Sequence, residues 1–417
     1  MSSGLRSVWA LFVGVALLQL GHGLQGTLIG VQASSAQFNA TVTGIIMSGF
    51  SVGLLLSAIV TPRIVASVGH IRVFAAFASV VSTAILLIPI WVNPFWWFAM
   101  RLIGGICMAG LAIVAESWLN SAADNQNRGK MLSVYMVITY AAVGGGSILL
   151  NIADTSGFVR FIVVSALISL ALVPISLAPS EAPSIEQPRN VMLRDIYKAS
   201  PLAFIGTLAV GLGQSAFFAM GAVYGLMSGL SLGYVSLMMA LPPIGVIFSQ
   251  YPIGMLSDRF DRRIVLIALT ILSALLALGT LFAATISPVS LIGLFAVFGA
   301  VSFPMYSLAL AHANDYLDKD QMLGASSKLV FIYGTGSIAG PLLAGNLMTT
   351  YGAAGFMMFM LAVYGMLGIF GIYRMVKRPE TPDSTGDLIQ VAPVTTPVAA
   401  AVIAEEQWED EATDKDL

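Results

Sequence analysis

The sequence predicts an all-α membrane protein whose twelve transmembrane helices form two similar halves. Three observations predict it: an apolar composition, regularly recurring apolar runs, and short basic loops between them. Of the 417 residues, 57% are hydrophobic and only 10% are charged, whereas soluble domains carry roughly 25% charged residues. Most of the chain is therefore expected to face lipid or a protein interior.

The apolar runs have the length that a membrane-crossing helix needs. A helix rises about 1.5 Å per residue, so crossing a hydrocarbon core of about 30 Å takes roughly 20 residues. The first run begins near Trp9 and has no small-residue cleavage site after a short core, so we expect it to remain in the protein. The predicted spans are residues 8–29, 43–61, 72–91, 95–119, 131–152, 158–178, 201–225, 232–254, 264–286, 289–312, 325–346 and 355–375.

Basic residues fix the expected orientation. With the N-terminus in the cytoplasm, the outward loops receive only Arg160. Basic side chains are retained on the cytoplasmic side during insertion, so we expect a multi-pass protein of the cell (inner) membrane with both termini cytoplasmic. The cytoplasmic loops and the segment directly after the last span then carry Arg63, Arg72, Arg128, Lys130, Arg189, Arg194, Lys198, Arg259, Arg262, Arg263, Lys319, Lys328, Arg374, Lys377 and Arg378.

Charge and proline content divide the chain. We expect two six-helix bundles, at residues 1–178 and 201–378, joined by a cytoplasmic linker at 179–200 that is rich in proline and charge. Residues 1–378 carry a net charge of +7 and residues 379–417 a net charge of −9. The latter segment is acidic and contains prolines, so it is expected to be a disordered cytoplasmic tail.

The two halves repeat at nearly constant offsets. An offset of 192 places Gly21-His22 on Gly213-Gln214, and an offset of 196 places Gly144 on Gly340. The prolines of the eighth, tenth and eleventh spans are expected to interrupt those helices. They are Pro242, Pro243, Pro304 and Pro341.

Several motifs resemble those of the major facilitator superfamily. The loop after the eighth span, GMLSDRFDRR from Gly254 to Arg263, resembles its signature loop, and Arg101 followed by Gly105 and Gly110 is similar to its second motif. The eleventh span resembles the glycine-proline motif of its antiporters. The stretches 115–120 (AESWLN) and 311–316 (AHANDY) are similar to the YcaD-like bacterial branch.

This resemblance covers about residues 8–376 and implies a function. It implies two bundles around a central cavity, and secondary active transport of a small solute by alternating access, coupled to an ion gradient with the proton as the expected ion. One departure is visible in the first-half loop, which has Ala66 and Ser67 where the signature has an aspartate and an arginine. The conformational latch implied by the family would therefore rest mainly on the second-half loop.

Polar residues inside the spans are the candidate substrate ligands, because burying them in a bilayer is costly. They are His22, Gln25, Arg101 and Gln214. The resemblance implies that the first, fourth, seventh and tenth spans line the cavity. Arginine offers a planar fork to a carboxylate-like group, and no acid lies at its depth, so we lean to an anionic or neutral substrate. Outward snorkelling of Arg101 and simple packing of His22 remain alternatives.

A second set of residues is expected to act in gating or coupling. Asp258, Arg259, Arg262 and Arg263 belong to the signature-like loop, and Glu116, His312 and Lys328 lie near the cytoplasmic ends of their spans. For the last three, an inward gate or an interfacial position is favoured over substrate binding. Glu116, His22 and His312 are the candidate proton carriers.

Enzyme-like strings occur in the wrong context. GHGLQG at 21–26 and GFSVG at 49–53 lie inside predicted membrane helices, whereas the motifs that they match need a strand followed by a helix. We therefore expect no enzyme, cofactor, metal or nucleic acid, and a monomer in the lipid bilayer with a small-molecule substrate and a coupling proton. Two alternatives remain open: a drug or metabolite efflux antiporter, and a non-transporting sensor or scaffold that uses its acidic tail for docking.

Overall fold

The computed structural model describes residues 3–122, 128–152, 158–177, 192–283, 286–317 and 319–377. Within these ranges the regular secondary structure is helical. The helices are α1 Ser3–Ser35, α2 Ala40–Val68, α3 His70–Leu87, α4 Pro94–Ala122, α5 Arg128–Ile148, α6 Val159–Leu177, α7 Leu193–Ala199, α8 Pro201–Met227, α9 Leu232–Arg259, α10 Arg262–Ala283, α11 Pro288–Ser302, α12 Met305–Asn314, α13 Lys319–Tyr351 and α14 Ala354–Lys377.

Eleven segments of the described chain are long and apolar enough to cross a membrane, with α11 and α12 forming one of them. The all-helical, multi-pass architecture is therefore confirmed. Two helices lie outside this set: the seven-residue α7 and α13, which has 33 residues and corresponds to the eleventh predicted span. Its first turns carry polar residues such as Gln321, Ser326 and Lys328, which lower the apolar character of the segment.

The predicted linker and tail are only partly visible. Residues 179–191 and 378–417 lie outside the described residues, so the predicted disorder of the tail is untested. The end of the predicted linker contains the short helix α7, and α8 follows at Pro201.

One predicted interruption occurs, and it is stabilised by a neighbouring helix. The tenth span is broken at Phe303-Pro304, between α11 and α12. Proline has no N–H, so the carbonyl of Ala300 loses its helical donor. The Ser249 hydroxyl of α9 donates to that carbonyl at 2.6 Å, as expected where a membrane helix is broken.

The other prolines do not end their helices, contrary to expectation. Pro242 and Pro243 lie inside α9, and Pro341 lies inside α13. Neighbouring turns on both sides continue the helix in each case, so the local loss of a hydrogen bond does not terminate it.

Packing separates the described helices into two sets. α1 packs on α5 and α6, and α2 and α3 pack on α4; in the second set, α8 packs on α13 and α14, and α10 on α11 and α14. The two sets meet along α2 with α13, α5 with α9, and α1 with α8.

Close glycine contacts repeat between the two sets. A side chain on Gly105 would collide with the backbone of Phe50, and one on Gly299 would collide with Pro242. Gly53 of the first half lies against Leu102, and its counterpart Gly245 lies against Ala296 and Ala300. Likewise, Gly146 lies against Leu20, and its counterpart Gly340 lies against Leu212. The offset is therefore 192 in the first two helices of each half and 194 in the fourth and fifth.

This register corrects one predicted equivalence. Gly144 was placed on Gly340 by an offset of 196, but Gly144 packs on Ala240 of α9. Gly146 is the equivalent of Gly340, because both approach the first helix of their own half. Two residues turn a helix by roughly 200°, so the two glycines face different neighbours.

Candidate functional site

A cavity of about 200 Å³ lies between the two sets of helices. Its walls come from α1, α2, α4 and α5 on one side and from α8, α9, α13 and the break at Phe303 on the other. The polar side chains on its walls are Gln19, His22, Thr27, Ser51, Arg101, Glu116, Tyr135, Thr139, Tyr140, Ser147, Gln214, Ser215, Tyr333 and Ser337. His22, Arg101 and Gln214, which the sequence predicted to converge, therefore share one cavity.

The fourth predicted ligand does not line this cavity. Gln25 is buried, and its amide nitrogen would lie 3.7 Å from a Cβ placed on Gly104 of α4. The side chain thus packs between α1 and α4, one turn from His22. Gln19, one turn away in the other direction, reaches the wall instead.

Phe50 brings Arg101 and His22 together. The guanidinium carbon of Arg101 lies 4.6 Å from the centre of the Phe50 ring, within the range of a cation–π contact. The His22 ring centre lies 5.4 Å from the same ring. Arg101 is only 5% exposed, and its Nε is buried without a hydrogen-bond partner among the described residues. Snorkelling to the membrane surface is therefore not the arrangement observed.

Gln214 is held at both ends of its amide. Its Nε2 donates to the carbonyl of Phe303 at 3.0 Å, and its Oε1 accepts a hydrogen bond from the Tyr333 hydroxyl at 3.2 Å. These bonds tie α8 to the break in the tenth span and to α13. Gln214 is thus a structural tie on the cavity wall, and these two bonds use one of its two amide hydrogens.

Glu116 also lies on the cavity wall. The sequence had favoured an inward gate or an interfacial position near the cytoplasmic end of its span. Its side chain is 2% exposed, and the Tyr135 hydroxyl donates to its Oε1 at 3.3 Å. Arg101 and Glu116 are on the same helix, fifteen residues apart, so about 22 Å of helix axis separates them. The cavity therefore has two distant polar regions.

The signature-like loop forms a network of ion pairs. Arg262, the first residue of α10, pairs with Asp315 at 2.5 Å, and both side chains are buried. Asp258 lies 3.8 Å from the same guanidinium and is 28% exposed. The Arg263 guanidinium forms an ion pair with the Asp261 carboxylate of the same loop at 2.8 Å. Arg259 is exposed. Asp315, at the end of α12, was not predicted from the sequence.

The remaining predicted residues lie away from the cavity. His312 is buried on α12 and its ring packs edge-on against Tyr316. Lys328 is half-buried on α13. Neither residue is on the cavity wall. Within the part of the chain that the structure describes, His, Cys, Asp and Glu side chains form no group of three that would hold a metal ion.

Close contacts join the two sets of helices near one end of the described structure. The hydroxyls of Thr41 and Thr349 are 2.9 Å apart, and the Asn151 amide donates to the Ser236 hydroxyl at 2.6 Å. Gly44, near the start of α2, lies directly against the backbone of Pro341. The two hydrogen bonds lie where α2 and α9 begin, just after α5 ends, and near the end of α13, whereas the Gly44 contact lies about three turns before that end.

Aromatic wall residues were missed by the sequence analysis. Phe50, Tyr135, Tyr140 and Tyr333 all lie inside apolar spans. Tyrosine in a span interior needs a hydrogen-bond partner, and this requirement was the available signal. Phe50 carried no such signal, since phenylalanine is common in any membrane helix.

Comparison with known proteins gives a consistent result. The family profile described as Major Facilitator Superfamily matches residues 11–236 and 203–405. An uncharacterized MFS-type transporter YcaD of Escherichia fergusonii is 26% identical over 359 residues, which cover 84% of this chain and 91% of that protein.

Two crystal structures are similar in fold. The nucleoside transporter NupG has a TM-score of 0.72 at 14% identity, covering 91% of this chain and all of NupG. A bacterial homologue of the human lysosomal transporter Spinster, in an inward-facing and occupied conformation, has a TM-score of 0.68 at 12% identity, covering 88% of this chain and 95% of that one.

Proposed function

The chain belongs to the major facilitator superfamily as a membrane transporter of its YcaD-like branch, and from this premise we propose that it moves a small anionic or neutral solute by alternating access. The observation that carries the proposal is a cavity between two sets of helices, with charged side chains on its wall. We infer that the contacts around Thr41 and Thr349 close it at one end. Transport of this kind is a secondary process driven by an ion gradient.

We infer two six-helix bundles, with α11 and α12 together as the tenth crossing and α13 as the eleventh of twelve. The repeated glycine contacts support this division, because each half builds its helix pairs in the same way. Pseudo-symmetric halves that rock about a central site are the mechanical basis of alternating access. The protein would work as a monomer, with the cavity inside one chain.

The orientation of the chain in the membrane decides on which side of the membrane the cavity is closed. With both termini in the cytoplasm, the seal between Thr41 and Thr349 faces outward, and the conformation described here would admit solute from the cytoplasmic side. Reporter fusions at residues 190, 260 and 380 should all indicate cytoplasm. A periplasmic signal at any of these positions would overturn both the orientation and the assignment of the sealed end.

Proton coupling is assigned to Glu116. Among the described residues it is the one acid on the cavity wall, it is buried, and it accepts a hydrogen bond from Tyr135. An acidic side chain on the wall of a cavity that opens alternately to the two sides can take up a proton on one side of the membrane and release it on the other. Its distance from Arg101 lets one site hold the solute while the other gains or loses a proton.

Liposomes containing the purified chain test both parts of the proposal. A metabolite panel would be screened for solute-driven pH change in the lumen and, separately, for solute counterflow without a pH gradient. We expect Glu116→Gln to abolish the pH change and retain counterflow, because exchange needs no net proton movement. Solute binding without flux in the wild-type protein would instead identify a sensor.

A further inference from the structure

We infer that the transported solute is an organic monoanion whose carboxylate pairs with Arg101 while a small apolar body fills the rest of the cavity. The inference rests on the proposed function and narrows it, since it excludes neutral solutes. It follows from the positive charge of Arg101, which no acidic side chain of the cavity wall balances among the described residues.

Arg101 is a buried cation without a carboxylate partner. It is 5% exposed, its Nε has no hydrogen bond, and the ion pairs of the described residues form elsewhere, around Arg262 and Arg263. Its contact with the Phe50 ring compensates only part of the charge. Guanidinium is almost always protonated, so a partner must be supplied when water leaves the cavity.

Glu116 cannot be that partner. It is the one acid on the cavity wall among the described residues, and four turns of α4 separate it from Arg101. Arginine and glutamate side chains are too short to bridge about 22 Å. His22, which approaches the same Phe50 ring, adds a hydrogen-bonding group and no negative charge. An anion that arrives with the solute completes the site, and a single cation calls for a single negative charge.

The rest of the wall indicates the body of the solute. Its apolar side chains include Met47, Leu54, Met108, Phe218, Met239 and Phe303. The cavity volume of about 200 Å³ is below the roughly 300–1,000 Å³ typical of drug-sized ligands. A multiply charged phosphate compound would leave its other charges against apolar atoms, so a small carboxylate with an aliphatic or aromatic body fits best.

Matched acids and amides test this inference on the full chain in detergent. Acetate, hexanoate and benzoate would be compared with acetamide, hexanamide and benzamide by ligand-induced thermal stabilisation, and the amide samples would receive equal potassium chloride to match ionic strength. We expect at least one acid to stabilise the protein with an affinity tenfold or more above that of its amide. Arg101→Gln should weaken that acid at least tenfold, and Arg101→Lys should weaken it less, because lysine keeps the charge and loses the fork. Arg194→Gln, on the exposed helix α7, is the matched control and should bind as the wild type does.

The outcomes separate this inference from the proposed function. Equal binding of acid and amide, or an unchanged affinity in Arg101→Gln, would overturn the inference. So would a complete lack of stabilisation by the three acids. If Arg101→Gln does not fold, the acid–amide comparison on the wild-type chain still decides. Flux of a neutral solute in the liposome screen would contradict the monoanion while leaving the transporter proposal intact, whereas absence of any flux would contradict both.

Discussion

Replacing Asp315 by asparagine should destabilise the protein more than replacing Asp258, although both carboxylates contact Arg262 of the signature-like loop. Asp315 lies at the C-terminal end of α12, and its partner Arg262 is the first residue of α10. A carboxylate at a helix C-terminus and a guanidinium at an N-terminus each oppose the helix dipole. The pair at 2.5 Å offsets both penalties, and asparagine would leave the buried arginine without a counter-charge at that position.

Burial sets the magnitude of this effect. The Arg262 and Asp315 side chains are 2% and 3% exposed, and breaking a buried ion pair by removing one partner costs about 3–5 kcal/mol. Asp258 contacts the same arginine at 3.8 Å with 28% exposure, a geometry for which roughly 1 kcal/mol or less is typical. The two substitutions therefore differ several-fold in their effect on stability, although both remove a carboxylate from one guanidinium.

Thermal and SDS-induced unfolding in mixed micelles would measure the difference. Asp315→Asn should lower the apparent melting temperature by several degrees, and a double Arg262→Met/Asp315→Leu variant should recover most of the loss, because no charge is then left buried. Asp258→Asn is the matched variant with the opposite expectation: nearly wild-type melting with impaired transport, if Asp258 stabilises the outward-facing state. Equal melting temperatures for Asp315→Asn and wild type would refute the reasoning from burial.

Three further predictions concern packing and the tail. Ser249→Ala should cost about 1 kcal/mol in SDS unfolding, because the carbonyl orphaned by Pro304 loses its donor; an unchanged midpoint would show that water replaces it. Gly146→Val should sharply reduce the yield of folded protein, since its Cβ would collide with the α1 backbone, whereas Gly365→Val, with open space around it, should be tolerated in the same expression and gel-filtration assay. A chain ending at Glu380 should fold and transport like the full chain, and loss of monodisperse protein would show that the tail packs on the body.

The helices were predictable from the sequence because apolar length is a local property. A run of roughly 20 apolar residues has few alternatives in a bilayer, so the eleven segments recovered by the structure lie close to predicted spans. The eleventh predicted span was too short because polar residues begin α13 without ending its helix. The internal repeat was also visible, since its glycines mark close contacts between helix backbones.

The exact offset between the two halves and the extent of the cavity along the helices could not be predicted from local apolar length. Two additional residues between the second and fourth helices of the second half change the offset from 192 to 194, and only the contacts of Gly146 and Gly340 locate that change. Glu116 was placed by its distance along α4, but exposure to a central cavity depends on how neighbouring helices diverge. Asp315 was missed for a related reason: its partner Arg262 is distant in sequence.

Charge is divided unequally between the two halves. Arg101 and Glu116, the charged residues on the cavity wall among those described, both belong to α4 of the first half, whereas the described ion pairs at helix ends belong to the second half. The offset of 192 places His70 at the position of Arg262, and His70 meets Ser117 at 3.2 Å where Arg262 meets an aspartate. A histidine–serine contact is weaker than a buried ion pair. The first half therefore has the weaker of the two contacts at this position, so we expect it to rearrange more easily there than the second half.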